Sequence, residues 1–292
     1  MGVGGLRARI AAGLFEKVAG AEGAGRRERI HATPGPRWFG EDRPIRAVHG
    51  DAAMFVGGLR ALLLQSLHPL AMAGVAGHSG FRGDPWGRLA RTSYFLASTT
   101  FGPADLAEET IARIRSVHEH VRGTAPDGRA YAASDPHLLE WVHIAEIDSF
   151  LCAYQAYGSG RLDDAGRDGY VADAAVVARA LGVIHPPETE AALAARIEAF
   201  RPELDGSPAA RDTARFLLRE PPLPGPARVP YALLGAAAVG LLPSWARAPL
   251  ALPDRPRLDR TVVRLGGRAV TSGIRWAMAS GPPSPAPAPT AS

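Results

Sequence analysis

The 292-residue chain contains one cysteine, Cys152, and one lysine, Lys17. A single cysteine excludes an intrachain disulfide and any cysteine-based zinc or iron–sulfur site, and its neighbours Phe150, Leu151 and Ala153 suit an inert buried thiol. With lysine nearly absent, the formal net charge of +4 and the pI near 9.6 rest on arginine. Those arginines are scattered among acids and form no basic stripe, so nucleic acid is not an expected partner. There is no Gly-x-Ser-x-Gly nucleophile elbow, and Gly4-Gly5 and Gly266-Gly267 lack the strand–turn–helix setting of a nucleotide loop. Residues 1–20 carry Arg7, Arg9, Glu16 and Lys17 where an export signal needs an unbroken apolar core, which predicts a cytoplasmic protein. No stretch alternates with the period of two that a half-buried strand requires.

Helical periodicity fills the space these absences leave. Leu6, Ile10, Leu14 and Val18 recur at helical spacing, and the pattern continues over 55–67, 87–98, 104–121, 136–157, 164–181 and 188–200. Pro103-Ala104-Asp105 and Ser134-Asp135-Pro136 place proline or a capping oxygen at helix entrances. Hydrophobic residues make up 46% and charged residues 21%, a globular balance. The division expected is an N-terminal helix and linker over 1–40, one all-α domain over 41–280, and a Pro/Ala-rich tail over 281–292 that cannot bury a core. The apolar run Val229–Pro243 is shorter than the roughly 20 residues a bilayer span needs and predicts a buried central helix. Trp245, Arg247, Arg264, Arg268, Arg275 and Trp276 are candidates for peripheral contact with a membrane surface.

The chemistry-bearing residues cluster in order. Arg88 and Thr92, four residues apart, share one helix face. His118 follows on the next helix with Ile111, Ile114, Val117 and Val121 around it. The segments Leu64-Gln65-Ser66-Leu67-His68-Pro69, His78-Ser79-Gly80-Phe81, Asp84 to Thr92, Phe101-Gly102, His118 to Gly123, Asp135-Pro136, Trp141-Val142-His143 and Leu181-Gly182-Val183 together resemble the rubber oxygenase/MpaB-type oxygenase catalytic domain. The resemblance covers roughly residues 45 to 250.

The resemblance implies a globin-like multi-helix bundle with a buried haem pocket. It further implies b-type haem on His118, with Arg88, Thr92 and, secondarily, Arg122 beside the cofactor; His120 points elsewhere. The implied activity uses O2 on a lipophilic unsaturated substrate, cleaving a carbon–carbon double bond into two carbonyls. Rubber oxygenases carry a lysine just before the threonine and a glutamate upstream, whereas this chain has Arg91 and no glutamate between Asp51 and Glu108. The catalytic candidates are therefore His78 and Arg91, with His68 and Asp84 as further polar residues. Two other readings stand beside this one. Glu140, His143 and Glu146, with a second Glu-x-x-His at Glu28–His31, could belong to a di-iron carboxylate oxidase, although a packed, hydrogen-bonded His143 is the plainer expectation. The same pocket could instead serve a non-catalytic haem or lipid carrier.

Overall fold

The computed structural model describes residues 7, 12–13, 15–20, 22–78 and 83–279. The spacing predicted for 1–20 falls largely outside these residues, and the tail 281–292 does entirely. The elements follow the chain as α1 (Gly23–His31), α2 (Pro44–His49), α3 (Met54–Gln65), α4 (Pro69–His78), α5 (Pro85–Phe101) and α6 (Ala104–His120), then a two-stranded hairpin. After β1 (Arg122–Thr124) and β2 (Ala130–Ala132) come α7 (Pro136–Tyr157), α8 (Asp164–Leu181), α9 (Glu190–Phe200), α10 (Pro208–Arg219), α11 (Gly225–Leu241) and the short α12 (Ser244–Arg247). A last helical segment enters through a π-turn at Asp259–Val263 and continues as α13 (Arg264–Met278). The fold is an all-α multi-helix bundle, as expected.

Local chemistry sets most of these boundaries. Asp84 accepts from the Gly87 amide at 2.9 Å, Asp135 from His137 at 2.9 Å and Asp163 from Gly166 at 2.8 Å, each satisfying a donor that the first turn leaves open. Pro85 and Pro136 occupy first-turn positions where a missing N–H costs nothing. Gly182 ends α8 at φ 115°, a left-handed conformation that side-chain-bearing residues avoid.

The central helix is α7, which runs against α3 along most of its length. Gly57 makes this closeness possible, since a Cβ there would lie 2.8 Å from the Phe150 ring and 3.1 Å from the Phe150 Cα. Around this pair the buried core gathers Ile45, Leu63, Leu64, Trp141, Ile144, Tyr170 and Phe200. A second cluster joins Val56, Leu59 and Tyr157 to Leu234, Ala237, Ala238 and Val270, seating α11 on α3 and α13 on α11 and α7.

Three expectations need correction. The chain is not without strands: residues 122–132 form an antiparallel hairpin in which Arg122 pairs with Ala132. Strands of three residues are too short for alternation to reveal them. The 229–243 run is helical but not buried all round, because Val229 and Leu233 face outward while Leu234, Ala237 and Ala238 are buried. Of the residues expected at a membrane surface, Arg247 is buried between Asp254 and Asp259, and Arg275 grips Asp51 through two contacts of 2.8 and 3.1 Å. Trp245 is half-buried beneath the Arg201 guanidinium. Among the described residues no single helix is long and apolar enough to cross a membrane. The pair α3 and α4 would pass on length and composition, but it bends by 107°.

Candidate functional site

His118 lies in the last turn of α6, which packs against α5 and α8. Its ring is half-buried, and its Nδ1 is buried without a hydrogen-bond partner. Burial pushes its pKa below the usual histidine value, so the neutral imidazole with an available lone pair is favoured. His120, two residues on, is exposed, and its Nδ1 lies 2.7 Å from the Ser116 carbonyl. The two neighbouring histidines thus differ: His120 has a partner at Nδ1 and His118 does not.

On the adjacent helix, Asp84 starts α5 and also meets Arg91 at 3.2 Å, holding this exposed guanidinium at the helix entrance. Arg88, one turn in, is half-buried, and desolvation followed by the like charge of Arg91 pushes its pKa down. Thr92 follows one turn later at the exposed edge. Arg122 is not on the continuation of α6, because the helix ends at His120 and Arg122 opens the hairpin as an exposed residue. His78 closes α4, and its side chain lies outside the described residues. The fold therefore sets Arg88 and His118 on helices packed against each other, while Arg91 and Arg122 sit at the surface.

A second group of polar side chains projects from α7. His143 and Glu146 are one turn apart, and each keeps some accessible surface although desolvation dominates its acid–base behaviour. Burial drives His143 down to about 4 and Glu146 up to about 7. The His143 Nε2 is buried without a partner, which corrects the expectation of a hydrogen-bonded histidine.

Glu140 does not join them. It is held by Arg196 of α9 through two bonds of 2.6 and 2.8 Å, so its carboxylate is spent on a fork-to-fork ion pair. In the other Glu-x-x-His step, the His31 ring lies against Phe101. The di-iron ligand set is not assembled among the described residues.

Sequence reasoning missed a polar network in the same interior. His49 bridges Thr100 Oγ1 at 2.8 Å and the Tyr170 hydroxyl at 3.3 Å, with its ring edge-on to Phe150. Burial holds His49 at about 3 and lifts Tyr170 well above its usual range; the Glu146 charge adds to the second effect. Glu146 is thus near enough to Tyr170 for its charge to act there. Ser98, two residues before Thr100, has a buried hydroxyl with no partner. The one available signal was the helical spacing of His49 behind Ile45 and Val48, and a lone histidine on an apolar face is not distinctive.

A protein-family profile described as ER-bound oxygenase mpaB/B'/rubber oxygenase, catalytic domain, matches residues 46–276. The matched span takes in His49, Arg88, His118, His143 and Glu146. No curated protein and no solved structure matches the chain.

Proposed function

Because the chain belongs to the family of ER-bound oxygenase mpaB/B' and rubber oxygenase catalytic domains, we propose that this oxygenase domain is haem-dependent and oxidises a lipophilic unsaturated substrate with O2. The observation that carries the reading is His118, a neutral imidazole with an unpartnered buried nitrogen inside the matched span. A haem site needs such an imidazole and a cation for the propionates. Arg88, on the neighbouring helix, supplies a guanidinium whose planar fork suits a carboxylate. The residues present fit the group: His118 would bind the iron, and Arg88 and Thr92 would lie beside the propionates. The haem would be non-covalent b-type, because no Cys-x-x-Cys-His attachment motif exists. When bound, it supplies the O2 chemistry that no side chain can provide.

The chain's own residues do the remaining work. Apolar side chains over 62–72 and 95–101 favour an isoprenoid-like or otherwise unsaturated apolar molecule and exclude water from the reacting centre. Glu146, poised at about 7, can hold or release a proton at its carboxyl near neutral pH, the property a general acid or base needs. Arg91 and His78 stay candidates for substrate-side chemistry. Exposed Leu258, Val262 and Leu265, flanked by exposed Arg257, Arg260 and Arg268, support peripheral contact with an anionic membrane from the cytoplasmic side. Co-sedimentation with anionic but not neutral vesicles tests that contact.

The decisive experiment is the absorption spectrum of the purified protein beside that of His118→Ala. A Soret band that His118→Ala loses, together with label from 18O2 appearing in aldehyde or ketone products from unsaturated lipids and terpenoids, supports the oxygenase. A Soret band retained in His118→Ala but lost in His143→Ala moves the ligand to His143. Tight substrate binding with no oxygen incorporation under any redox condition makes the protein a carrier.

A further inference from the structure

Away from His118, three side chains from three separate segments meet at one edge of the bundle. His68 sits at the α3–α4 junction, His137 in the first turn of α7, and Glu203 on the single 3₁₀ turn Arg201–Glu203 after α9. Glu203 Oε2 lies 2.8 Å from His137 Nε2 and 3.5 Å from His68 Nε2, and one ligand atom from each residue lies within 4.8 Å of the other two. His68 is only 1% exposed, and its Nε2, aimed at this cluster, has no hydrogen-bond partner. His137 and Glu203 are exposed, so the cluster is closed on the His68 side and open to solvent on the other.

The surrounding fold fixes this arrangement. The Asp205 amide donates to the Leu67 carbonyl at 2.8 Å, tying the segment that carries Glu203 to the end of α3 beside His68. The His137 ring stacks on Phe200 with centroids 4.5 Å apart, and Trp141 closes the inner wall beside His68. The nearby cations are already committed elsewhere: Arg196 is paired with Glu140 and Arg129 with Asp127. The Glu203 carboxylate is left to face the two imidazoles.

We propose that His68, His137 and Glu203 form a binding site for a divalent first-row metal ion, with zinc the best match, that takes two imidazole nitrogens and one carboxylate oxygen and keeps water on its open side. Ligand type and number are those of a three-residue zinc site. A tetrahedral ion with bonds of about 2.0–2.1 Å separates its ligand atoms by roughly 3.3 Å. The His68–Glu203 spacing is close to that value, and the shorter His137–Glu203 spacing opens by about half an ångström through the two exposed side chains. The ion needs the proton of His68 on Nδ1. Among the described residues this displaces one contact, the Ala71 amide at 3.5 Å, at the outer limit of a hydrogen bond. The bound ion would clip the α3–α4 junction, the start of α7 and the 3₁₀ turn together, a task independent of the cofactor on His118.

The test uses tag-free full-length protein, stripped with chelator and titrated with zinc by calorimetry and with cobalt by visible absorption. The expected result is one equivalent bound, with a cobalt spectrum of nitrogen and oxygen ligation and a raised thermal midpoint in zinc. His137→Gln and Glu203→Gln, both at exposed positions that the fold tolerates, should each weaken zinc binding at least tenfold. His118→Ala should bind zinc as the parent does. No saturable binding, or binding unchanged in the His137→Gln/Glu203→Gln double variant, overturns the proposal and leaves Glu203 as a hydrogen-bond partner of His137 alone.

Discussion

Two polar regions of this bundle obey opposite rules. In the first, buried charge is always answered. Arg60 meets Asp148 at 2.7 Å and Ser149 at 2.7 Å, Arg275 grips Asp51, Arg196 forks onto Glu140, and Arg247 sits between Asp254 and Asp259. In the second, on α5, α6 and α7, the buried atoms Ser98 Oγ, His118 Nδ1 and His143 Nε2 have no partner, and Glu146 is shifted by desolvation alone. A fold that satisfies its buried arginines so thoroughly has the means to satisfy three more atoms. Leaving each of them unpaired costs stability that a partner would restore.

The contrast can be broken most severely on the paired side. Asp148→Ala leaves the Arg60 guanidinium buried with its ionic partner gone, and unfolding in urea should show a loss of about 3–5 kcal/mol; a loss below 1 kcal/mol would mean that water reaches Arg60. On the unpaired side the sign changes with pH. Glu146 is raised from 4.5 to about 7, so the folded state prefers the protonated acid. Stability is full below pH 4.5, falls as pH rises to about 7, and stays lost above it, by on the order of 3 kcal/mol. Glu146→Gln should abolish that limb and be the more stable protein at pH 8, as parallel urea titrations at pH 5 and 8 would reveal.

His143 sharpens the same contrast from the acid side. Its pKa falls from 6.5 to about 4, so stability is whole above pH 6.5 and is lost as pH drops toward 4. His143→Leu removes an unsatisfied buried nitrogen and should stabilise the protein at pH 7 by about 1–2 kcal/mol while flattening the acid limb. A variant less stable than the parent at every pH would show that His143 is structural. The smallest effect belongs to ordinary capping: Asp84→Ala removes the bond to Gly87 and should cost about 1 kcal/mol, read as a modest drop in thermal midpoint.

The helices were legible because their information is local. Pro136–Tyr157 and Asp164–Leu181 follow from apolar spacing and from the caps at Asp135 and Asp163. His118, Arg88 and Thr92 were legible only as parts of a family pattern, since a lone histidine and an Arg-x-x-x-Thr pair occur on many helices. The second tier of residues depends on tertiary pairing. Glu140 and His143 share a helix and a motif, yet an arginine 56 residues away takes Glu140 out of the set. His137 and Glu203 are 66 residues apart, and no periodicity joins them. The buried state of Glu146 depends on what α2, α3 and α8 bring around α7, which cannot be read along one helix.

The grip of Arg275 on Asp51 also bears on how the chain matures. The contact joins residues 224 apart, and the same guanidinium bonds the Tyr157 carbonyl at 2.9 Å. The entropy cost of closing a loop grows with its length, so contacts of this separation form after local helices and their near neighbours. During synthesis, α2 to α8 emerge and can pack before residue 275 exists, with the Asp51 carboxylate held only by the Ala53 and Ser159 amides. The last helix then acts as a clasp that completes assembly, and a ribosome-stalled chain ending before Arg275 should remain protease-sensitive around Asp51 while one extending past it becomes resistant.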